Sequence, residues 1–413
     1  MNKAALIFFL LLSMLCVPIK GQQVDHGNIR EDLRELLYNI ERHYIYLHEK
    51  KVDLDCLKAH YESLIPQIRT TEETILFFEY LLDEFYDSHL ILNTNTPSSF
   101  RLYSPLYVRI EDNRPVIANV WQTQIKNLPP QLIGAELVAI NGIDFNKAIE
   151  QFPTHCHDKS LAEIREWIAN KILAGRYNQP RILTIKSTNG KTRELDLGQL
   201  VIRKDAELLA SETKDGIAII RLNNSLGNNR LIGEFDRILD SMMHTSGLIL
   251  DLRNTVDGGN TYVARAIMGR FTRTPQPYQK HWTIEQYGKN PKVERSWIEY
   301  VSPRGSLYKQ PVVILVGRWT GSMGEGLAIG FEGMGRAKVV GTEMERLAGE
   351  VNGFSFLHQT YGYRLSTAKL FHVKGVPREK YVPPIYVKQT GTETDQVLER
   401  GLEELKKLIS QSH

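Results

Sequence analysis

Two stretches of this chain share one grammar. "GLILDLRNTVDGGNTYVARAIMGRF" begins at Gly247 and "PVVILVGRWTGSMGEGLAIGF" at Pro311. Each is a run of consecutive apolar residues, then a glycine-rich turn, then an amphipathic segment. A strand without polar alternation is buried on both faces, which requires a sheet covered by helices. "GIAIIRL" followed by "GEFDRILDSMMH", and then "AKVVGT", repeat the theme. The region from about 204 to 413 is therefore expected to be an α/β core. In such units the loops after the strand C-termini face the ligand crevice.

The rest of the chain reads differently. In "IREDLRELLYNIERHYIYL", Leu33, Leu36, Leu37 and Ile40 share one helical face. "DLDCLKAHYESLIPQI" follows with Asp53 as a cap. "TTEETILFFEYLLDEFYDSHL" opens at Thr71 and buries Ile75, Phe78, Leu81, Leu82 and Phe85. Residues 22–101 are expected to form a helical domain. From 102 to 203 the pattern is β: "LYVRIED" and "RPVIANVW" flank a hairpin turn, and Asn141-Gly142 and Asn189-Gly190 mark two more. "SLAEIREWIANKIL" interrupts this region as a helix.

At 413 residues, several domains are the natural division. A formal charge of +3 without a basic block argues against nucleic acid. Residues 1–21, with Lys3 ahead of an apolar run from Ala4 to Val17, read as an export signal. A lipoprotein anchored at Cys16 and an uncleaved anchor are the alternatives, and no other segment is long enough to span a bilayer. Of the three cysteines, Cys56 and Cys156 fall in different domains. Both are expected to be free, although an exported chain is able to pair them. No zinc spacing, Walker loop or dinucleotide loop is present, so no metal or cofactor is expected.

Ser322 occupies the second glycine turn, with Gly321, Gly324 and Gly326 around it. A hydroxyl at the start of a helix that follows a buried strand is placed to attack a carbonyl, with the Met323 amide stabilising the oxyanion. The flanking glycines would clear space for a substrate. The plainer alternative is a helix cap. Gly258 or Gly259 of the first turn is the candidate for a second oxyanion N–H, against a turn that needs positive φ.

"LILDLRNTVDGGN" followed by "PVVILVGRWTGSMGEGLAIGFEGMGRAKVVGTE" resembles the core of the tail-specific, or carboxyl-terminal processing, serine peptidases, a family that includes the tricorn core protease. "EFYDSHLIL", "IGAELVAINGIDFNKAI" and "GVPREKYVPPIYV" resemble further family segments in the family's order. The resemblance implies a crotonase/ClpP-like spiral core, an N-terminal helical domain and a PDZ-like β domain that binds peptide by strand addition. It also implies the site. The processing branch uses a lysine after the serine, and "GTEMERLAGEVNGF" has none. The tricorn-like branch instead implies Ser322 as nucleophile, His89 as general base, Ser88 as the link orienting His89, and Glu379 holding Ser88. Glu350 is the alternative acid, and Lys338 and Lys369 are alternative bases. Asp251 and Arg253 would hold the glycine turn. The family's turn is one residue shorter between the arginine and the glycines, which leaves the choice between Gly258 and Gly259 open. The implied activity is an exported serine endopeptidase acting on proteins or peptides. A silent binding protein of the same fold and a serine esterase are the rivals. Oligomeric state is not legible.

Overall fold

The structure, a computed structural model, describes residues 24–203 and 207–411. The export signal expected at 1–21 lies outside these residues, and among the described residues no helix is long and apolar enough to cross a membrane. The fold is mixed α/β, with three sheets of five, six and six strands among the described residues.

One six-stranded sheet carries both glycine turns. Ile217–Asn223, Gly247–Asn254, Val312–Val316 and Ala337–Gly341 run parallel and adjacent, in chain order. Every residue of Gly247–Asn254 and Val312–Val316 is buried. Alternation within these strands assigns each side chain to one of two layers. Leu248, Leu250 and Ile314 join Leu231, Phe235, Ile267 and Phe331 of the helices on one face. Ile249, Val313 and Leu315 meet Val397 and Leu405 of the C-terminal helix Gln396–Gln411 on the other. Each such side chain, fully buried, contributes about 1.5–3 kcal/mol. Leu248 pairs with Val312 and Asp251 with Leu315, so the two parallel strands release their turns on the same side of the sheet, Gly247–Asn254 running two residues further.

The early helices His26–His43, Leu54–Leu64 and Thr71–Asp83 pack Leu33, Leu36, Phe78 and Leu81 together, but their core is completed by Phe356, Tyr363 and Leu365 from late in the chain. Tyr363 and Leu365 belong to Gly362–Phe371, a strand of an antiparallel sheet with Gln276–Glu285 and Val293–Val301, and Phe356 follows its other partner strand, Glu350–Ser355. Asp53 caps its helix as expected, its side chain accepting from the Cys56 N–H. The third helix is capped one residue earlier than Thr71. Thr70 accepts from the Glu73 N–H and Glu73 accepts from the Thr70 N–H, a full capping box.

The third sheet holds Leu106–Glu111, Arg114–Val120, Glu136–Ile140, Ile182–Lys186 and Thr192–Asp196. Asn141 and Gly142 both have positive φ in the turn to Ile143–Asp144, as a two-residue hairpin requires. Its core includes Tyr86, Val256 and Trp319 from outside the sheet region, with Trp319 stacked on Trp121.

The cysteine expectation is overturned. Cys56 and Cys156 form a disulfide, with their Cα atoms 5.8 Å apart. The pairing arises because the loop that carries Cys156 returns to the helices. Glu84, at the end of the third helix, accepts from the N–H groups of His155 and Cys156. Separation along the sequence gave no hint of this contact.

Candidate active site

Ser322 sits at the N-cap of the helix Met323–Gly333, with φ 47° and ψ −108°. A non-glycine residue in that region is strained and is held there only by its surroundings. Here the holding group is Glu325, fully buried. Its carboxylate accepts the N–H of Ser322 at 3.0 Å, of Arg346 at 2.8 Å and of Leu347 at 3.3 Å. Burial pushes the Glu325 carboxyl up to about 7, opposed by Arg378 and these three N–H donors. The Ser322-x-x-Glu325 spacing of a capping box was readable in the sequence.

The first glycine turn lies directly against the second. A β-carbon on Gly258 would stand 2.4 Å from Ser322 Cβ and 2.9 Å from the Met323 nitrogen. Gly258 also has φ 64°, so both space and conformation exclude a side chain. Its N–H is committed to the Thr255 carbonyl at 2.9 Å, which removes Gly258 from the candidate oxyanion donors. Gly259 and Met323 remain. Gly259 is pressed against the Leu226 carbonyl, which a β-carbon would approach to 2.3 Å.

The glycines around Ser322 have a different purpose from the one expected. They make room for the chain itself rather than for a substrate. A β-carbon at Gly321 would meet Glu345 Oε2 at 2.2 Å, one at Gly324 would meet Thr255 Oγ1 at 2.2 Å, and one at Gly326 would meet Met323 Cε at 2.3 Å. Below the turn, Asp251 and Arg253 form a buried ion network with Arg221 and Asp395. Burial pushes Asp251 up, but Arg253 and Arg221 outweigh it and hold the carboxyl well below its usual range. Asp251 and Arg253 thus tie the end of their strand to Arg221 of the neighbouring strand and to Asp395.

His89 is buried at the end of the helical segment. Its ring Nδ1 lies 2.9 Å from the Ala348 carbonyl. A carbonyl only accepts, so Nδ1 carries the proton and neutral His89 keeps its lone pair on Nε2. Burial, then Arg378, lowers its pKa to about 4. The backbone turn is pinned by Asp87, which accepts from the His89 N–H at 2.9 Å and from Tyr44 Oη at 2.7 Å. The loop 343–349 joins the two halves of the site. Glu325 holds it through Arg346 and Leu347, and the next residue, Ala348, binds His89 and also accepts from Ser366 Oγ at 2.7 Å. Arg378 clamps the same loop through the Leu347 and Gly349 carbonyls. Ala348, Glu325 and Arg378 were not anticipated. A backbone carbonyl leaves no side-chain signal, and Arg378 has no distinguishing local pattern.

Ser88 and Glu379 line a cavity of about 780 Å³ between the helical segment, the β region and the core. The Ser88 hydroxyl is exposed and accepts from Trp167 Nε1 at 3.1 Å. The partner at His89 Nδ1, a place expected for Ser88, is the Ala348 carbonyl. Glu379 Oε2 is buried without a hydrogen-bond partner, and burial raises the carboxyl pKa. Glu350 instead pairs with His281 at 2.9 Å. Lys369 pairs with Glu49, and Lys338 is exposed. Among the described residues no group of His, Cys, Asp and Glu is arranged to hold a metal ion.

Residues 216–387 match the family model for Peptidase family S41, and residues 25–83 that for the Tricorn protease C1 domain. No curated protein matches by sequence. Among solved structures, mature CPAF complexed with lactacystin is similar at a TM-score of 0.61 and 16% identity, covering 94% of this chain and 98% of that one. The photosystem II D1 C-terminal processing protease is similar at 0.51 and 13% identity, covering 92% and 97%. These likenesses concern the fold.

Proposed function

With a peptidase family S41 domain over residues 216–387, the chain is a serine-type peptidase, and we propose that Ser322 is its nucleophile and His89 its general base. The observation that carries this reading is the pair of turns in contact at Gly258 and Ser322, at the same end of adjacent parallel strands. In the proposed reaction, His89 Nε2 takes the proton as Ser322 Oγ attacks the scissile carbonyl. The Met323 and Gly259 amides receive the oxyanion. Collapse expels the amine, protonated by His89, and leaves an acyl-enzyme that water hydrolyses by the same steps in reverse order. The Nδ1–H bond to Ala348 supports this by fixing the tautomer. Ser88 and Glu379 line the substrate cleft in this reading.

The finer assignments belong to the same proposal. Residues 22–101 form a helical domain, 102–203 a PDZ-like domain that adds a peptide strand, and 204–413 a spiral core of the crotonase/ClpP type. The chain is exported after removal of residues 1–21, consistent with a disulfide in the described part. The test is digestion of an unfolded protein by the purified chain and by Ser322→Ala, counting new N-termini. Cleavage that falls by about 10⁴-fold or more in the variant supports the reading. Turnover of acyl esters without peptide cleavage would make the protein an esterase.

A further inference from the structure

Glu345 lies where no assigned role reaches it. Its backbone N–H bonds the Thr320 carbonyl at 3.1 Å, which fixes it beside the Ser322 turn. Its Oε2 is buried and has no hydrogen-bond partner. That oxygen and the Val256 carbonyl fill the side of Gly321 that has no β-carbon, at 2.2 and 2.3 Å from where one would stand. The carboxyl is thus packed against a second acceptor immediately before the nucleophile. Glu345 also lines the large cavity, together with Tyr103, Trp319 and Arg318.

The charge around it is unbalanced. Glu325 and Asp257 both add negative potential at Glu345, and Arg318 is the opposing cation. Arg318 is engaged elsewhere. Its Nη1 donates to the Met344 carbonyl at 2.6 Å, and its guanidinium lies 3.7 Å from the Tyr107 ring centroid. Burial and the neighbouring acids raise the Glu345 carboxyl well above its usual range. A carboxyl held neutral by burial and neighbouring acids ionises when a cation with N–H donors is placed beside it.

We propose that Glu345 is the specificity-determining residue of the cleft, receiving a lysine or arginine side chain of the substrate next to the bond that Ser322 attacks. The inference rests on the peptidase reading of Ser322. Glu345 takes no part in the bond-making steps. A charge-assisted hydrogen bond in a buried site corresponds to discrimination of about tenfold or more.

The test compares the full chain with Glu345→Gln, which keeps the side-chain shape and replaces the charge by a neutral amide. Both digest a peptide library. One cleaved peptide and its lysine-to-norleucine analogue are then assayed for kcat/KM. The wild type should favour lysine by about tenfold or more, and the variant should lose that preference while cleaving the norleucine peptide within about twofold of wild type. Absence of a basic preference in the wild type overturns the proposal. So does an equal loss on both peptides, which marks Glu345 as structural. Fluorophosphonate labelling of Ser322 is run in parallel. A labelled Ser322 without a basic preference overturns the Glu345 inference alone. An unlabelled Ser322 without turnover overturns the peptidase reading and this inference with it.

Discussion

Gly258 and Ser322 are in such close contact that a β-carbon on the first would stand 2.4 Å from that of the second. The two residues are far apart in sequence and belong to different turns. They meet because their strands are adjacent and parallel, so both turns leave the same end of the sheet.

This contact makes Gly258→Ala a sharp probe. The variant adds a clash with Ser322 to the cost of φ 64°, and activity should fall by about 100-fold or more. Gly288 has φ 60° with nothing within 4 Å of its would-be β-carbon, so Gly288→Ala meets the conformational cost alone, about 1–2 kcal/mol. Peptidase assays and thermal melts of both variants separate strain from the clash. Equal activity in the two would remove the argument for contact.

The acid limb of the pH profile should lie below that of an ordinary histidine. His89 titrates at about 4 in the fold and about 6.5 unfolded. It is the neutral base at pH 5 and above, so kcat/KM should be near its plateau there. The stability sign follows from the same shift. The contribution of neutral His89 is complete above pH 6.5 and is lost as the pH falls toward 4. Arg378→Gln removes a cation that lowers the His89 pKa, and the acid limb should move upward. A limb that stays fixed in the variant would mean that Arg378 acts only by holding the loop.

Much of the core was legible in the sequence, because continuous apolar strands and glycine turns report burial directly. The two strands, their turns and the helix after Ser322 stand where the pattern put them. The hairpin Gln276–Glu285 with Val293–Val301 was missed. Much of it is exposed or half-buried, so its strands carry mixed rather than strictly alternating side chains. The proposed site rests on side chains that carry sequence signals, and its frame is silent in the sequence. Ser322 and His89 carry motif signals, whereas Ala348 acts through a carbonyl. Glu345 is placed by the fold rather than by neighbouring residues.

Removing the disulfide should destabilise without abolishing chemistry. Cys56 and Cys156 close a loop across 100 positions, for which the chain-entropy model gives about 4–5 kcal/mol. Cys56→Ser with Cys156→Ser, or a reductant, should lower the melting temperature of the folded chain. An unreduced proteolytic map should contain the two cysteine peptides joined. Finding them separate contradicts the bridge.

The most direct test of the central claim is covalent labelling. A fluorophosphonate reacts with a serine whose hydroxyl has a base and an oxyanion site beside it. Mass spectrometry of the labelled chain should place the adduct on Ser322. The adduct should be absent in Ser322→Ala and form about 100-fold or more slowly in His89→Ala, which keeps the serine and removes the proposed base. An adduct on another residue, or a His89→Ala chain that labels at the wild-type rate, would contradict the assignment of Ser322 and His89.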